Sequence, residues 1–145
     1  MKRLILLLCF GILVSIAANP SYENVIYIPF SPPLTPYEAL SRAIGTVESK
    51  NDPNAYNSRE NAVGIYQVRP IRLDDYYQRT GKRYELNEMY DTIKAKKVFL
   101  YYALQYHYSE TERISREWNG GERGMKKQST KSYYKKVKVY LENQN

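Results

Sequence analysis

At the end of the stretch AIGTVES, residues 43–49, an apolar helical face gives way to the polar loop KNDPNAYN, and the carboxylate Glu48 stands at the break, followed by Ser49. The chemistry open to an acid there is proton transfer: delivery to a leaving oxygen near neutral pH, then removal from an incoming nucleophile. That requires a carboxyl group that keeps its proton well above the usual carboxylate range. Burial against apolar side chains has this effect, and the electronegative C-terminal end of a helix adds to it. Glu48 is placed to receive both. For an isolated acid the competing reading is a solvated Glu at a helix end. Asp52 is the candidate second carboxylate, but it precedes Pro53 in the loop and is equally suited to starting a turn.

Two further regions carry residues of chemical interest. In NAVGIYQVRP, residues 61–70, Gly64 and Gln67 stand three apart ahead of Pro70. In REWNGGERG, residues 116–124, Trp118 and Asn119 precede a glycine pair, and TKSYYKKV, residues 130–137, follows with Thr130 and Tyr133. Each segment alone is weak. Gln67 could be a buried amide that holds a loop, Asn119-Gly120 could be turn chemistry alone, and Trp118 suits a core as well as a groove wall. Their order and spacing as a set are far more specific. His107 is the only histidine, and without clustered ligands it makes no metal site; neither a metal nor a cofactor is expected.

The elements that must position these residues are mostly helical. Thr35-Pro36-Tyr37-Glu38 reads as a capping box, and Leu40, Ala43, Ile44 and Val47 continue one helical stripe with Glu48 at its edge. Pro70 opens a second helix through Leu73, Tyr76 and Tyr77, stopped near Gly81. The strongest helical pattern runs from Asp91 to about His107, with Ile93, Val98, Phe99, Tyr102 and Tyr106 on one side and lysines on the other. A second capping box, Ser109 to Glu112, opens a short helix through Ile114 and Trp118, and Thr130 to Leu141 forms a last amphipathic helix. The only strand signals are NVIYI in the Pro-rich arm and VGIYQV.

The chain has 145 residues, enough for one domain with a real core. Its first residues carry the basic pair Lys2 and Arg3, an apolar run from Leu4 to Ile16 that is short for a bilayer span, and small residues around Ala17-Ala18. This pattern predicts a secretory signal peptide over 1–18, the alternative being an uncleaved anchor. Residues 19–36 hold five prolines and read as an arm or linker, leaving a domain over 37–145. The sole cysteine, Cys9, lies in the leader, so the exported chain has neither disulfide nor thiolate chemistry. The net charge of +7 falls to +5 without Lys2 and Arg3. An exported basic protein suits an anionic polymer or surface, whereas export and the absence of any nucleic-acid motif exclude nucleic acid as the expected partner. Sixteen tyrosines against three phenylalanines supply amphipathic rings for a sugar groove or for a small core.

Taken together, Glu48-Ser49, Gly64-Ile65-Tyr66-Gln67-Val68-Arg69-Pro70, Trp118-Asn119-Gly120-Gly121 and Thr130-Lys131-Ser132-Tyr133 resemble the lytic transglycosylases of the lysozyme-like superfamily, in particular the soluble-lytic-transglycosylase (SLT) domain. The family pattern is Glu-Ser closing the first long helix, then Gly-x-x-Gln-apolar-x-Pro, an Ala-Tyr-Asn-x-Gly turn, and Thr-x-x-Tyr in a final helix. The resemblance covers roughly residues 37–141. It implies a single lysozyme-like domain of the goose-type lysozyme/SLT kind, mostly α, with several packed helices around a substrate cleft. It also implies cleavage of the MurNAc–GlcNAc bond of peptidoglycan by Glu48 as the single acid and base, assisted by the substrate's own acetamido oxygen and ending in 1,6-anhydro-MurNAc. By the same resemblance Ser49, Gln67 and Asn119 orient the acetamido group and the acid, Tyr133 supports the acid, and Gly64 and Gly120-Gly121 let backbone approach the glycan.

Two departures stand out: Trp118 replaces a Tyr that often hydrogen-bonds the acid, and an indole donates but cannot accept; Tyr66 replaces a common Met, predicting sugar stacking there. The expected partner is the peptidoglycan strand, met as a monomer in the periplasm or outside the cell, with membrane contact only during export. A hydrolytic muramidase of the same fold, with water as the acceptor, and a catalytically idle glycan-binding protein are the alternatives; an ordinary retaining glycosidase would use a second carboxylate about 5 Å from the first, for which Asp52 is the candidate.

Overall fold

The computed structural model describes residues 36–143; the leader, the arm and the Thr35 cap lie outside them. Helix α1 (Pro36–Ser49) begins on proline and buries Leu40, Ala43 and Ile44. Its Glu38 pairs with Lys96 Nζ at 2.6 Å. The helix stops because Lys50 and Asn51 take left-handed backbone with φ of 60° and 61°, and their amides close back on the Thr46 and Gly45 carbonyls at 3.0 Å. An Asn in that conformation is inexpensive, so the break after Glu48-Ser49 is written in the residues that follow.

Strands β1 (Tyr56–Asn57) and β2 (Ala62–Val63) form a short antiparallel hairpin. The expected strand VGIYQV is instead a tight loop: only Val63 and Val68 pair across it, while Gly64 and Gln67 take positive φ and the Gln67 amide donates to Gly64 O at 3.0 Å. Helix α2 (Pro70–Thr80) follows, ended by Gly81 in the left-handed conformation. A 3-10 turn at Leu86–Tyr90, unforeseen, buries Met89.

Helix α3 (Thr92–Ala103) is capped by Asp91, whose carboxylate accepts from the Ile93 and Lys94 amides. It ends short of His107, and Ile93, expected on the core face, is 66% exposed. Ala95, Val98, Phe99 and Ala103 make the buried face instead. Phe99 stands at the centre of the domain, stacked on Tyr66 at 5.1 Å and edge-on to Trp118 at 5.2 Å. Helix α4 (Thr111–Gly120) lacks the expected capping box. Ser109 bonds His107 Nδ1 at 2.8 Å, and Glu112 pairs with Arg116 at 2.7 Å. Arg116 is buried, its guanidinium also donating to Thr130 Oγ1 at 3.1 Å and to the Met125 carbonyl at 2.7 Å. A buried charge is tolerated only with such partners. Helix α5 (Gln128–Glu142) packs against α1 and α4.

Candidate active site

The C-terminal end of α1, the hairpin, the start of α2 and the end of α4 enclose a cavity of about 260 Å³. Glu48 lines it, together with Gln67 and Val68 from the tight loop and Trp118 and Asn119 from α4. α5 closes the far side of the acid: the Tyr133 hydroxyl donates to Glu48 Oε1 at 2.8 Å.

Glu48 is pushed up to about 7, chiefly by burial. The Tyr133 hydroxyl, the positive charge of Arg69 and the Trp118 indole oppose that rise, and the negative charge of Glu60 assists it. An acid in this range keeps a proton near neutrality and yields it readily. Asp52 stands elsewhere. Its Oδ1 accepts from the Asn54 amide at 2.8 Å, an Asx turn, and it does not line the cavity.

The expected site residues divide into those facing the cavity and those that shape it. Gln67 faces it, with Nε2 spent on the Gly64 and Ala55 carbonyls at 3.0 and 3.4 Å. Among the described residues its Oε1 accepts nothing, nor does the Asn119 side chain make a hydrogen bond; that oxygen and the Asn119 amide are available to a ligand. Trp118 is both core and wall: nearly buried, packed edge-on to Phe99, yet lining the cavity.

Ser49 does not line the cavity. Its hydroxyl donates to Ile65 O at 2.9 Å and ties α1 to the loop. Gly64 is also behind the wall. Its φ is +74°, and a Cβ there would lie 2.1 Å from the Met89 carbonyl oxygen, so glycine answers to the 3-10 turn rather than to a glycan. Gly120 likewise faces the Thr130 side chain, which a Cβ would meet at 2.6 Å. Tyr66 requires a correction. At 3% exposure, stacked on Phe99 and hydrogen-bonded to Ser41, it is a core residue with no ring face for sugar. The loop turns its side chain inward against Phe99.

Five cavity residues were not among the expected site residues: Asn57, Glu60, Val68, Arg69 and Arg72. Arg69 lies inside the motif segment and Glu60 immediately before it, so charges interleaved with the motif were the available signal. Arg72, one turn further along α2, had none. Among the described residues no group of His, Cys, Asp or Glu side chains could hold a metal ion, and no described helix is long and apolar enough to cross a membrane.

A family model described as the transglycosylase SLT domain matches residues 36–141. No curated protein and no solved structure matches the chain.

Proposed function

The chain belongs to the transglycosylase SLT domain family, which points to a transglycosylase and to peptidoglycan as its substrate, and from that premise we propose a lytic transglycosylase with Glu48 as its single acid and base. The observation that carries this reading is the position of Glu48: at the wall of the cavity, gripped by Tyr133, with its carboxyl raised to about 7 mainly by burial.

In the first step the Glu48 carboxyl gives its proton to the oxygen bridging MurNAc C1 to GlcNAc. The C1–O bond breaks, GlcNAc leaves as an alcohol, and the acetamido carbonyl oxygen bonds to C1. Gln67 Oε1 and the Asn119 side-chain amide are suited to that acetamido group, Gln67 Oε1 by accepting from its N–H. In the second step the Glu48 carboxylate, stabilised by the Tyr133 hydroxyl, removes the proton of the C6 hydroxyl. Its oxygen attacks C1, the bond from C1 to the acetamido oxygen breaks, and a 1,6-anhydro ring closes with Glu48 protonated again. No carboxylate nucleophile is required, in keeping with Asp52 lying outside the cavity.

Glu60 favours a second reading. It is a carboxylate in the same cavity, and one so placed could hold a water for hydrolysis. Mass spectrometry of digested peptidoglycan tests both readings: anhydro ends support the transglycosylase, reducing ends the hydrolase, and an undigested wall overturns both. Because peptidoglycan lies outside the cytoplasmic membrane, the proposal includes export, for which the basic and apolar first 18 residues are suited.

A further inference from the structure

Three charged side chains share the cavity with Glu48: Glu60, Arg69 and Arg72. Arg72 is committed elsewhere. Its guanidinium lies over the rings of Tyr102 and Trp118 at 4.4 and 5.0 Å. Its Nη2 donates to the Trp118 and Glu117 carbonyls at 2.9 and 3.2 Å, satisfying the open end of α4. Arg69 is held by one long contact on each side. Nη1 lies 3.6 Å from Glu60 Oε2 on the hairpin side, and Nη2 donates at 3.4 Å to the Asn119 carbonyl at the end of α4. The guanidinium therefore spans from hairpin to helix across the cavity that contains the acid. Of the carboxylates lining that cavity, Glu48 is the one left if Glu60 is removed. An acid paired with arginine is ionised and has no proton to give.

We propose that Glu60 is a positioning residue whose carboxylate anchors Arg69 on the hairpin side of the cleft and keeps its guanidinium from pairing with Glu48. The inference rests on the reading of Glu48 as the proton donor. The electrostatics run the same way: Arg69 draws Glu48 down and Glu60 pushes it up, so loss of Glu60 acts twice in one direction. The other groups facing Glu48 are Tyr133 from α5 and Trp118 and Asn119 from α4. None of these is charged near neutrality, the Tyr133 hydroxyl being held far above the ordinary tyrosine range by burial and by Glu48 itself, and the one further charge lining the cavity, Arg72, is held by the α4 carbonyls. Glu60 is 57% exposed at its side chain, so its replacement leaves the core untouched.

The test measures two quantities on the same proteins: the pH profile of kcat/KM on purified peptidoglycan, and the titration of Glu48 by carboxyl carbon NMR. In Glu60→Ala and Glu60→Gln both midpoints move down by about one pH unit. Above the midpoint that shift reads as about a tenfold loss of kcat/KM. Measured against Arg69→Met, the added Glu60→Ala change in Glu60→Ala/Arg69→Met moves the midpoints clearly less than it does in the wild-type background, because no guanidinium is left to pair with Glu48; an equal shift in both backgrounds means that only the charge of Glu60 acts and overturns the proposal. Unmoved Glu48 titration in both single variants overturns the proposal. So does an acid-side rate as low as that of Glu48→Gln, which would put Glu60 in the chemistry itself. The NMR titration needs no turnover: if the wild-type protein cleaves no peptidoglycan yet the Glu60→Ala shift depends on Arg69 as expected, the functional reading fails and the anchoring stands.

Discussion

The Tyr133 hydroxyl donates a 2.8 Å hydrogen bond to Glu48 Oε1 across 85 residues of sequence, joining the last helix of the domain to the end of the first. The bond favours the ionised carboxylate, whereas burial favours the neutral acid and is the larger effect. Tyr133→Phe removes the donor and keeps the ring. We expect kcat to fall by about 10- to 100-fold, the equivalent of one hydrogen bond to a charged group. The descending limb of the pH profile moves to higher pH, since an influence that lowers the Glu48 pKa is lost. A profile unchanged in position would disconnect Tyr133 from the acid.

Glu48→Gln keeps the shape and removes the proton, so wall lysis should fall by at least about 100-fold with the circular dichroism spectrum intact. Stability carries a second signature. The folded pKa of about 7 lies above the ordinary glutamate value of 4.5, so between those values the native state binds more protons than the unfolded chain, and stability declines as pH rises through the interval. Wild type is therefore penalised above pH 7 and Glu48→Gln is not. In urea unfolding the variant should gain on wild type by on the order of 1–3 kcal/mol at pH 8 relative to pH 4. Equal differences at both pH values would mean that Glu48 is not held neutral in the native protein.

Asp52→Asn should retain substantial activity. The amide oxygen still accepts from the Asn54 amide, so the turn survives, and the proposed chemistry uses no carboxylate nucleophile. A loss as deep as that of Glu48→Gln would mark a two-carboxylate glycosidase.

Gly64→Ala should destabilise the fold rather than selectively weaken substrate binding. The new Cβ meets the Met89 carbonyl oxygen at 2.1 Å on a backbone of φ +74°, and strain of this kind costs about 1–3 kcal/mol before the neighbouring turn has moved. A thermal melt equal to wild type, with a raised KM, would return Gly64 to the glycan surface.

De-N-acetylated peptidoglycan should bind yet resist cleavage, because the oxygen that bonds to C1 in the proposed mechanism has been removed. Turnover of acetylated and de-acetylated wall by one preparation, with pull-down binding alongside, is the measurement. Equal cleavage of both would exclude acetamido participation.

Much of the fold was legible because its signals are local. Pro70 and Gly81 bracket α2, and Asp91 caps α3 through its own side chain. Where the expectation failed, competing contacts and backbone conformation had decided. The box at Ser109 to Glu112 did not form because His107 and Arg116 claimed its side chains. The stretch VGIYQV alternates like a strand, yet the positive φ of Gly64 and Gln67 folds it into a loop that sends Tyr66 into the core.

The site divides along the same line. The sequence by itself determined that an acid closes an apolar helix and that motif segments in a specific order accompany it, because residue type, helical period and spacing are properties of the chain. Only the tertiary structure decided which side chains share a cavity with that acid. Tyr133 reaches Glu48 because α5 lies against α1, Asp52 is excluded because its carboxylate is used in its own turn, and Glu60 and Arg69 enter because the hairpin folds beside α2. Burial, which contributes most to the raised Glu48 pKa, arises from packing between segments far apart in the chain and has no local residue pattern.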